Sequence, residues 1–371
     1  MRLPADQVRR LRLRAQGLWR DDKDAPKTPA AVLRDACAVQ AQDAPAAALS
    51  IWARSDGLTA GDVARAQAQE HSIVRTWLMR GTLHLTAAED LGWLLPLLGP
   101  RFIRTTRRRY AELGLDGAVR RESLVAIREI LSEGVPMLRA ELAARLAERG
   151  FPTEGQAAYA LMHHAGLSGL LCFGPDREGQ ETFVLLEGWT QVGEAMPESE
   201  ALAELARRYL RAYAPAAPQD LAAWSGLPIP QARAAFEAIG DQLVEVEFAR
   251  EPLRILQGQA GWLEEAFAGE VNLRLLPRFD TYLMGYRDRA LSVPERYARR
   301  IHPGGGILHP AVLVDGLAAG RWKTARKKAR LDVIVEPFES LAGEAVRQLE
   351  AEVRDLARFL ETEVRLEPIS R

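Results

Sequence analysis

Lysine is almost missing from this 371-residue chain: of its 49 basic residues only Lys23, Lys27, Lys323, Lys327 and Lys328 are lysines. Arginine and alanine are abundant throughout, which more often reflects a GC-rich genome than a function, so a count of arginines says little. Cysteine is scarcer still. Cys37 and Cys172 lie far apart in apolar segments, which excludes a disulfide framework and a CxxC metal knuckle and fits a reducing cytoplasm. Long hydrophobic runs are absent too. The stretch from Trp93 to Leu98 is broken by Pro96 and falls far short of the ~20 residues of a membrane span. The opening MRLPADQVRRLRLR interrupts its leucines with charge, unlike a secretory signal, so the expectation is a soluble intracellular protein without a membrane partner. Charge of one sign is lacking as well: 49 basic against 50 acidic residues give a net of -1, and any nucleic-acid footprint must be local.

Phosphate and hydrolase signatures are equally missing. Gly304-Gly305-Gly306 has no following Lys-Ser/Thr, no GxGxxG follows a strand, and no GxSxG elbow occurs, which argues against ATP, dinucleotides and serine hydrolase chemistry. Among six histidines, the adjacent His163 and His164 point about 100° apart on a helix and have no second ligand cluster at metal spacing. Packing or DNA contact explains them, and neither a metal nor a cofactor is expected.

At roughly 100 to 200 residues per domain, this length accommodates about two to four folding units. Residues 1–115 read as short helices, opened by Pro4, by Thr28-Pro29 and by Asp43 with Pro45, followed by a hairpin through Ile73–Leu85 centred on Arg80-Gly81. Helices followed by a hairpin describe a winged helix. The order recurs in 116–197, where helices precede Leu170–Phe173 and Thr182–Leu186 around a Gly-Pro-Asp link. It recurs again in 198–270, where three helices broken by Pro218, Pro228 and Pro230 lead to the strand Leu243–Phe248. Residues 271–371 form an α+β region, with strands at Leu273–Leu276, Ala311–Val314 and Leu331–Val335 and a charged amphipathic helix over Leu341–Glu361. The expected fold is mainly α with small β wings: tandem winged-helix domains plus an α+β C-terminal region.

Between the second and third helices lies Val39-Gln40-Ala41-Gln42-Asp43. In an extended stretch, residues two apart point the same way, so the two amides can converge on one substrate atom or one water. In a helix they diverge by about 200°. From the residues alone a second reading stays open, in which Gln42 and Asp43 merely cap the next helix.

Gln40-Ala41-Gln42, then Val74-Arg75-Thr76-Trp77-Leu78-Met79-Arg80-Gly81-Thr82-Leu83-His84, then Leu276-Pro277-Arg278-Phe279-Asp280-Thr281-Tyr282-Leu283-Met284-Gly285-Tyr286-Arg287-Asp288-Arg289 together resemble the AlkZ/YcaQ family of bacterial DNA glycosylases. That resemblance implies tandem winged-helix domains, in agreement with the reading above. It also implies a catalytic signature of Gln, an apolar residue, then Gln or Asp. Gln40 and Gln42 match the Gln/Gln version of the AlkZ branch, and Asp43 comes one residue too late to be the aspartate of the other branch. The implied partner is double-stranded DNA carrying alkylated bases, possible lesions including interstrand crosslinks, met by a monomer in the bacterial cytoplasm, at the nucleoid when bound.

Alkylation at N7 of guanine makes the base a cationic leaving group, so no strong protein acid is needed, and two neutral amides can place a water and stabilise the sugar cation. No lysine lies near the motif to form a Schiff base, which points to a monofunctional glycosylase. DNA-binding candidates are Arg80 and His84 at the first hairpin, Asp280, Tyr286 and Arg287 of the third block, and Lys323, Arg326, Lys327 and Lys328 of the run Arg321–Arg330. Asp280 could equally lock a turn, and the run could be a solvated loop. Arg104–Arg109 is a weaker basic candidate. The rival from another class is a winged-helix transcriptional regulator without catalysis, and a catalytically dead damage binder is a third possibility; base release from alkylated duplex separates them.

Overall fold

A computed structural model of the chain describes residues 1–19, 28–265, 271–328 and 330–369. Lys23 and Lys27, the segment 266–270 that closes the expected third domain, and Ala329 of the basic run lie outside the described residues. The fold is mixed α and β, and no described helix is long and apolar enough to cross a membrane. Packing divides the chain into two compact units, one made of Met1–Val63 with Leu202–Arg371 and the other of Ala64–Ala201. This grouping differs from four consecutive stretches. The N-terminal residues are bound to partners far along the chain: the Leu3 N–H donates to the Glu247 carbonyl and the Glu247 N–H to the Met1 carbonyl, each at 2.8 Å.

In the discontinuous unit, an antiparallel sheet places Arg330–Pro337, Leu317–Lys327, Ala311–Val314 and Leu273–Leu276 side by side, with Glu363–Leu366 added parallel to the first of these. Three of the five strands fall where expected. The 11-residue strand Leu317–Lys327 does not, because its dense positive charge reads as a loop. Its pleat is nonetheless regular: Ala318, Gly320 and Trp322 are buried in alternation, the signature of a half-buried strand. The helix Gly343–Leu360 buries Ala345, Leu349, Glu352, Val353, Leu356 and Phe359, a stripe at helical spacing. Each large apolar side chain on it contributes about 1.5–3 kcal/mol by leaving water.

The strand Leu243–Phe248 is joined by an unexpected partner, Glu251–Leu256, in register from Leu243 opposite Leu256 to Phe248 opposite Glu251. Ala249 and Arg250 make the two-residue turn with φ of 51° and 68°. Such turns favour Asn-Gly and similar pairs, so the sequence carries no turn signal here.

The continuous unit holds Leu83–Ala87, Ile73–Trp77, Leu171–Phe173, Thr182–Leu185 and Met137–Leu138 as sheet neighbours in that order. The hairpin turns at Arg80-Gly81 as expected, both at positive φ, and pairs Ile73 with Ala87 through Trp77 with Leu83. Trp77 is the centre of this core. Its ring meets Phe173 at 5.0 Å and His163 edge-on at 5.6 Å, and a Cβ at Gly166 would lie 2.2 Å from it, so only glycine admits the helix Ala157–Leu167 this close.

Candidate active site and nucleic-acid interface

Thr28 caps the helix Pro29–Ala36 by accepting the Ala31 N–H at 3.2 Å, with Pro29 in the first turn. The helix stops at two consecutive non-glycine residues of positive φ, Cys37 at 52° and Ala38 at 77°, and the Ala38 N–H closes on the Leu33 carbonyl at 2.9 Å. Strain of this kind persists only where the surroundings enforce it. It delivers the chain into the short strand Val39–Gln40, in which Val39 and Ala41 are wholly buried on either side of Gln40. Gln40 is itself 9% exposed, while Gln42 stands in a bend at the surface. Asp43 caps the next helix, Ala44–Trp52, by accepting the Ala46 N–H at 3.0 Å. The cap is therefore Asp43 alone, and the stretch carrying the two glutamines is not helical.

Behind the motif is a buried polar network that the residue pattern did not reveal. Asp280, 0% exposed, receives Arg54 at 2.7 and 2.8 Å and the Ser50 hydroxyl at 3.1 Å. It also caps the short helix Thr281–Met284 through the Tyr282 N–H at 2.9 Å. Arg54 donates further to Gln16 and Thr281, each at 3.0 Å. Burial works against the Arg54 charge, but attraction and hydrogen bonding to Asp280 outweigh it and raise its pKa. Gln16 reaches the Tyr286 hydroxyl at 3.3 Å, that hydroxyl donates to the Tyr213 carbonyl at 3.1 Å, and the Arg12 guanidinium lies 3.6 Å from the centre of the Tyr286 ring. Burial pushes the Tyr286 phenol well up, so it stays protonated and donates. The expectation that Asp280 and Tyr286 touch DNA is corrected here: both are enclosed, and their chemistry is spent on locking the loop that follows Leu276.

One residue of that loop reaches the neighbour of the motif. Arg278 is 3.3 Å from Asp43, the residue that follows Gln42. The sequence model of the DNA glycosylase AlkZ-like family matches residues 33–359. The chain belongs to that family.

An interstrand DNA cross-link repair glycosylase of Streptomyces sahachiroi is 30% identical over 346 residues, covering 87% of this chain and 88% of that protein. The solved structure of Streptomyces sahachiroi DNA glycosylase AlkZ superposes with a TM-score of 0.78 at 25% identity, over 99% of this chain and 100% of the other. This AlkZ-like chain is thus a DNA glycosylase, a hydrolase of N-glycosyl bonds, and the regulator reading is set aside.

The remaining candidates of the AlkZ-like enzyme divide by exposure. Lys323, Arg326, Lys327 and Lys328 are exposed, and the run is the end of an antiparallel hairpin rather than a loop, with Lys327 opposite Arg330. Its charge is partly compensated, since Lys323 meets Glu336 at 2.9 Å and Lys327 meets Asp332 at 2.7 Å. Arg287 is engaged by Glu251 and borders a cavity of about 570 Å³ with Arg233 and Arg254. Arg108 and Arg109 of the weaker run pair with Glu112.

Arg80 is half-buried at the first hairpin's turn, and His84 is 2% exposed, its Nδ1 within 2.9 Å of the Thr82 carbonyl. Enclosure corrects the expectation of a DNA contact for His84. Burial, aided by the Arg80 charge, lowers its pKa to about 3. Folded His84 is therefore neutral where the unfolded residue begins to bind a proton, so stability is full above pH ~6.5 and is lost as pH falls toward 3. The loss at pH 5 is expected to be about 2 kcal/mol. Denaturant unfolding at pH 8 and pH 5 checks this: His84→Leu should flatten the difference, and an unchanged difference refutes the assignment. His163 and His164 face Trp77 and Tyr110 edge-on, a packing role. Among the described residues no group of three or more His, Cys, Asp and Glu is arranged to hold a metal ion.

Proposed function

We propose that this AlkZ-like enzyme is a monofunctional glycosylase that hydrolyses the bond between C1′ and an N7-alkylated purine, with Gln40 and Gln42 as the catalytic pair. The observation that carries the reading is the placement of the motif: two amides in a non-helical stretch, one in a buried strand and the next at the surface, entered through strained backbone. The C1′–N bond breaks with its electron pair going to the cationic base, which leaves neutral. Water adds to C1′, its proton passes to solvent, and an abasic sugar remains. The amides orient that water and stabilise the oxocarbenium-like sugar, a matter of position and electrostatics rather than basicity. The substrate range extends to interstrand crosslinks, as the name of the Streptomyces sahachiroi relative states for that protein.

Duplex DNA is bound by a monomer built on three winged-helix segments. Each pairs helices with a hairpin: Ile73–Trp77 with Leu83–Ala87, Leu171–Phe173 with Thr182–Leu185, and Leu243–Phe248 with Glu251–Leu256. Release of free base from a duplex carrying one N7-methylguanine tests the function; absence of release under single-turnover conditions refutes it.

The exposed hairpin end supplies phosphate contacts in the same reading. Changing Lys323, Arg326, Lys327 and Lys328 together to neutral residues should weaken binding of damaged and undamaged duplex alike. It should also flatten the salt dependence by roughly 0.9 for each lost contact. Titrations at several salt concentrations check it, and an unchanged slope would place this end away from DNA.

A further inference from the structure

Arg278 belongs to the third block but has no assigned role, and its surroundings are built with unusual care. The antiparallel register sets Leu276 opposite Ala311 and Ala311 opposite Arg321. The Leu276–Ala311 pair ends that ladder, with Arg278 in the turn that follows Leu276 and His309 in the segment that precedes Ala311. His309 is half-buried, and burial together with the Arg321 and Arg278 charges lowers its pKa. Two carboxylates answer these cations: Asp43 on Arg278, and Glu336 on both Arg321 and Lys323.

The residue after Arg278 is strained. Phe279 has φ of 60° and lies under the Arg278 guanidinium at 4.7 Å. Asp280, clamped by Arg54, holds that conformation from the other side. A left-handed, half-buried aromatic residue is a costly way to make a turn. Its effect is to present a flat guanidinium, stacked and 43% exposed, one residue from Gln42.

We propose that Arg278 is a positioning residue of the excision reaction: it binds the DNA phosphate beside the damaged nucleotide while Asp43 ties it to the bend that carries Gln42. The inference deepens the glycosylase reading of the Gln40–Gln42 site and rests on it. Bound backbone then sets the register of the sugar over the glutamine pair. An arginine suits this place because its planar fork fits phosphate in two hydrogen bonds, whereas lysine is a point charge.

The test compares Arg278→Ala, Arg278→Lys and Asp43→Asn with the unmodified protein on a duplex bearing one N7-methylguanine. The readouts are the single-turnover rate, the affinity at several salt concentrations, and the melting temperature. Arg278→Ala should lose about tenfold or more in rate and reduce the salt slope by roughly 0.9, one contact. Arg278→Lys should recover the slope but not the rate. Asp43→Asn, which still caps its helix, should keep the melting temperature and slope but slow excision. Wild-type rate and slope in Arg278→Ala would overturn the proposal. So would a slowed rate with unchanged slope and a parallel fall in melting temperature, the pattern of a purely structural residue. Failure of the unmodified protein to excise would instead overturn the glycosylase reading, and the salt slope would still judge the phosphate contact.

Discussion

Gln40→Ala and Gln42→Ala should each slow excision of N7-methylguanine by something on the order of 10²-fold while leaving affinity for the duplex nearly intact. The size follows from what the amides do. In the proposed mechanism each orients a water or stabilises the sugar cation only as the glycosidic bond opens, so its removal should raise the barrier without weakening the ground-state complex. If both act on one water, the double variant should lose much less than the product of the two single losses. Melting temperature separates this outcome from damage to the fold. Gln42 is exposed and makes no cap, since Asp43 does, so Gln42→Ala should leave stability almost unchanged. Wild-type rates in the double variant would remove this pair from the mechanism.

Arg54→Ala should be the most destabilising single change, costing about 3–5 kcal/mol, the range for breaking one partner out of a buried ion pair. Arg54 and Asp280 are 3% and 0% exposed at the side chain and meet at 2.7 Å, so solvent screening gives no relief. For a unit of this size the loss corresponds to roughly 10 °C in melting temperature. Replacing both residues by apolar ones of similar volume should cost less than either single change, because no buried charge is then left unpaired. A remaining cost of about 1 kcal/mol is expected from the lost Asp280 cap. Activity should fall with stability, since the same pair holds Phe279 and Arg278 in place. A change of under 1 kcal/mol in Arg54→Ala would show that the pair is dispensable.

Helix starts are legible in this sequence wherever a polar cap precedes proline. Thr28-Pro29 opens Pro29–Ala36, and Asp43 with Pro45 opens Ala44–Trp52. Strands rich in branched residues, such as Leu273–Leu276 and Ala311–Val314, are equally plain. Leu317–Lys327 is hidden because its outward residues are charged and its inward ones mostly small, and Glu251–Leu256 because Ala249-Arg250 is an unfavourable turn pair held by the strands it joins. At the site, the glutamine motif stands out by its spacing, but the partners of Asp280 do not. Nothing local marks Arg54 or Gln16 as its companions, since each is separated from it by most of the chain and only the folded packing joins them. Burial likewise decides His84 and Tyr286. Both are residue types equally at home on a DNA surface, and one sequence offers no means of telling the two settings apart.

The unit that carries Gln40 is assembled from the two ends of the chain, and this sets an order on its synthesis. Residues 64–201 form a contiguous unit and can begin folding while the ribosome is still translating. Arg54 finds Asp280, and the first residues find Glu247, only once those later residues have been made, contacts of long sequence separation that close slowly. A nascent or prematurely terminated chain therefore carries the proposed glutamine pair without the buried ion pair and terminal contacts of the finished unit.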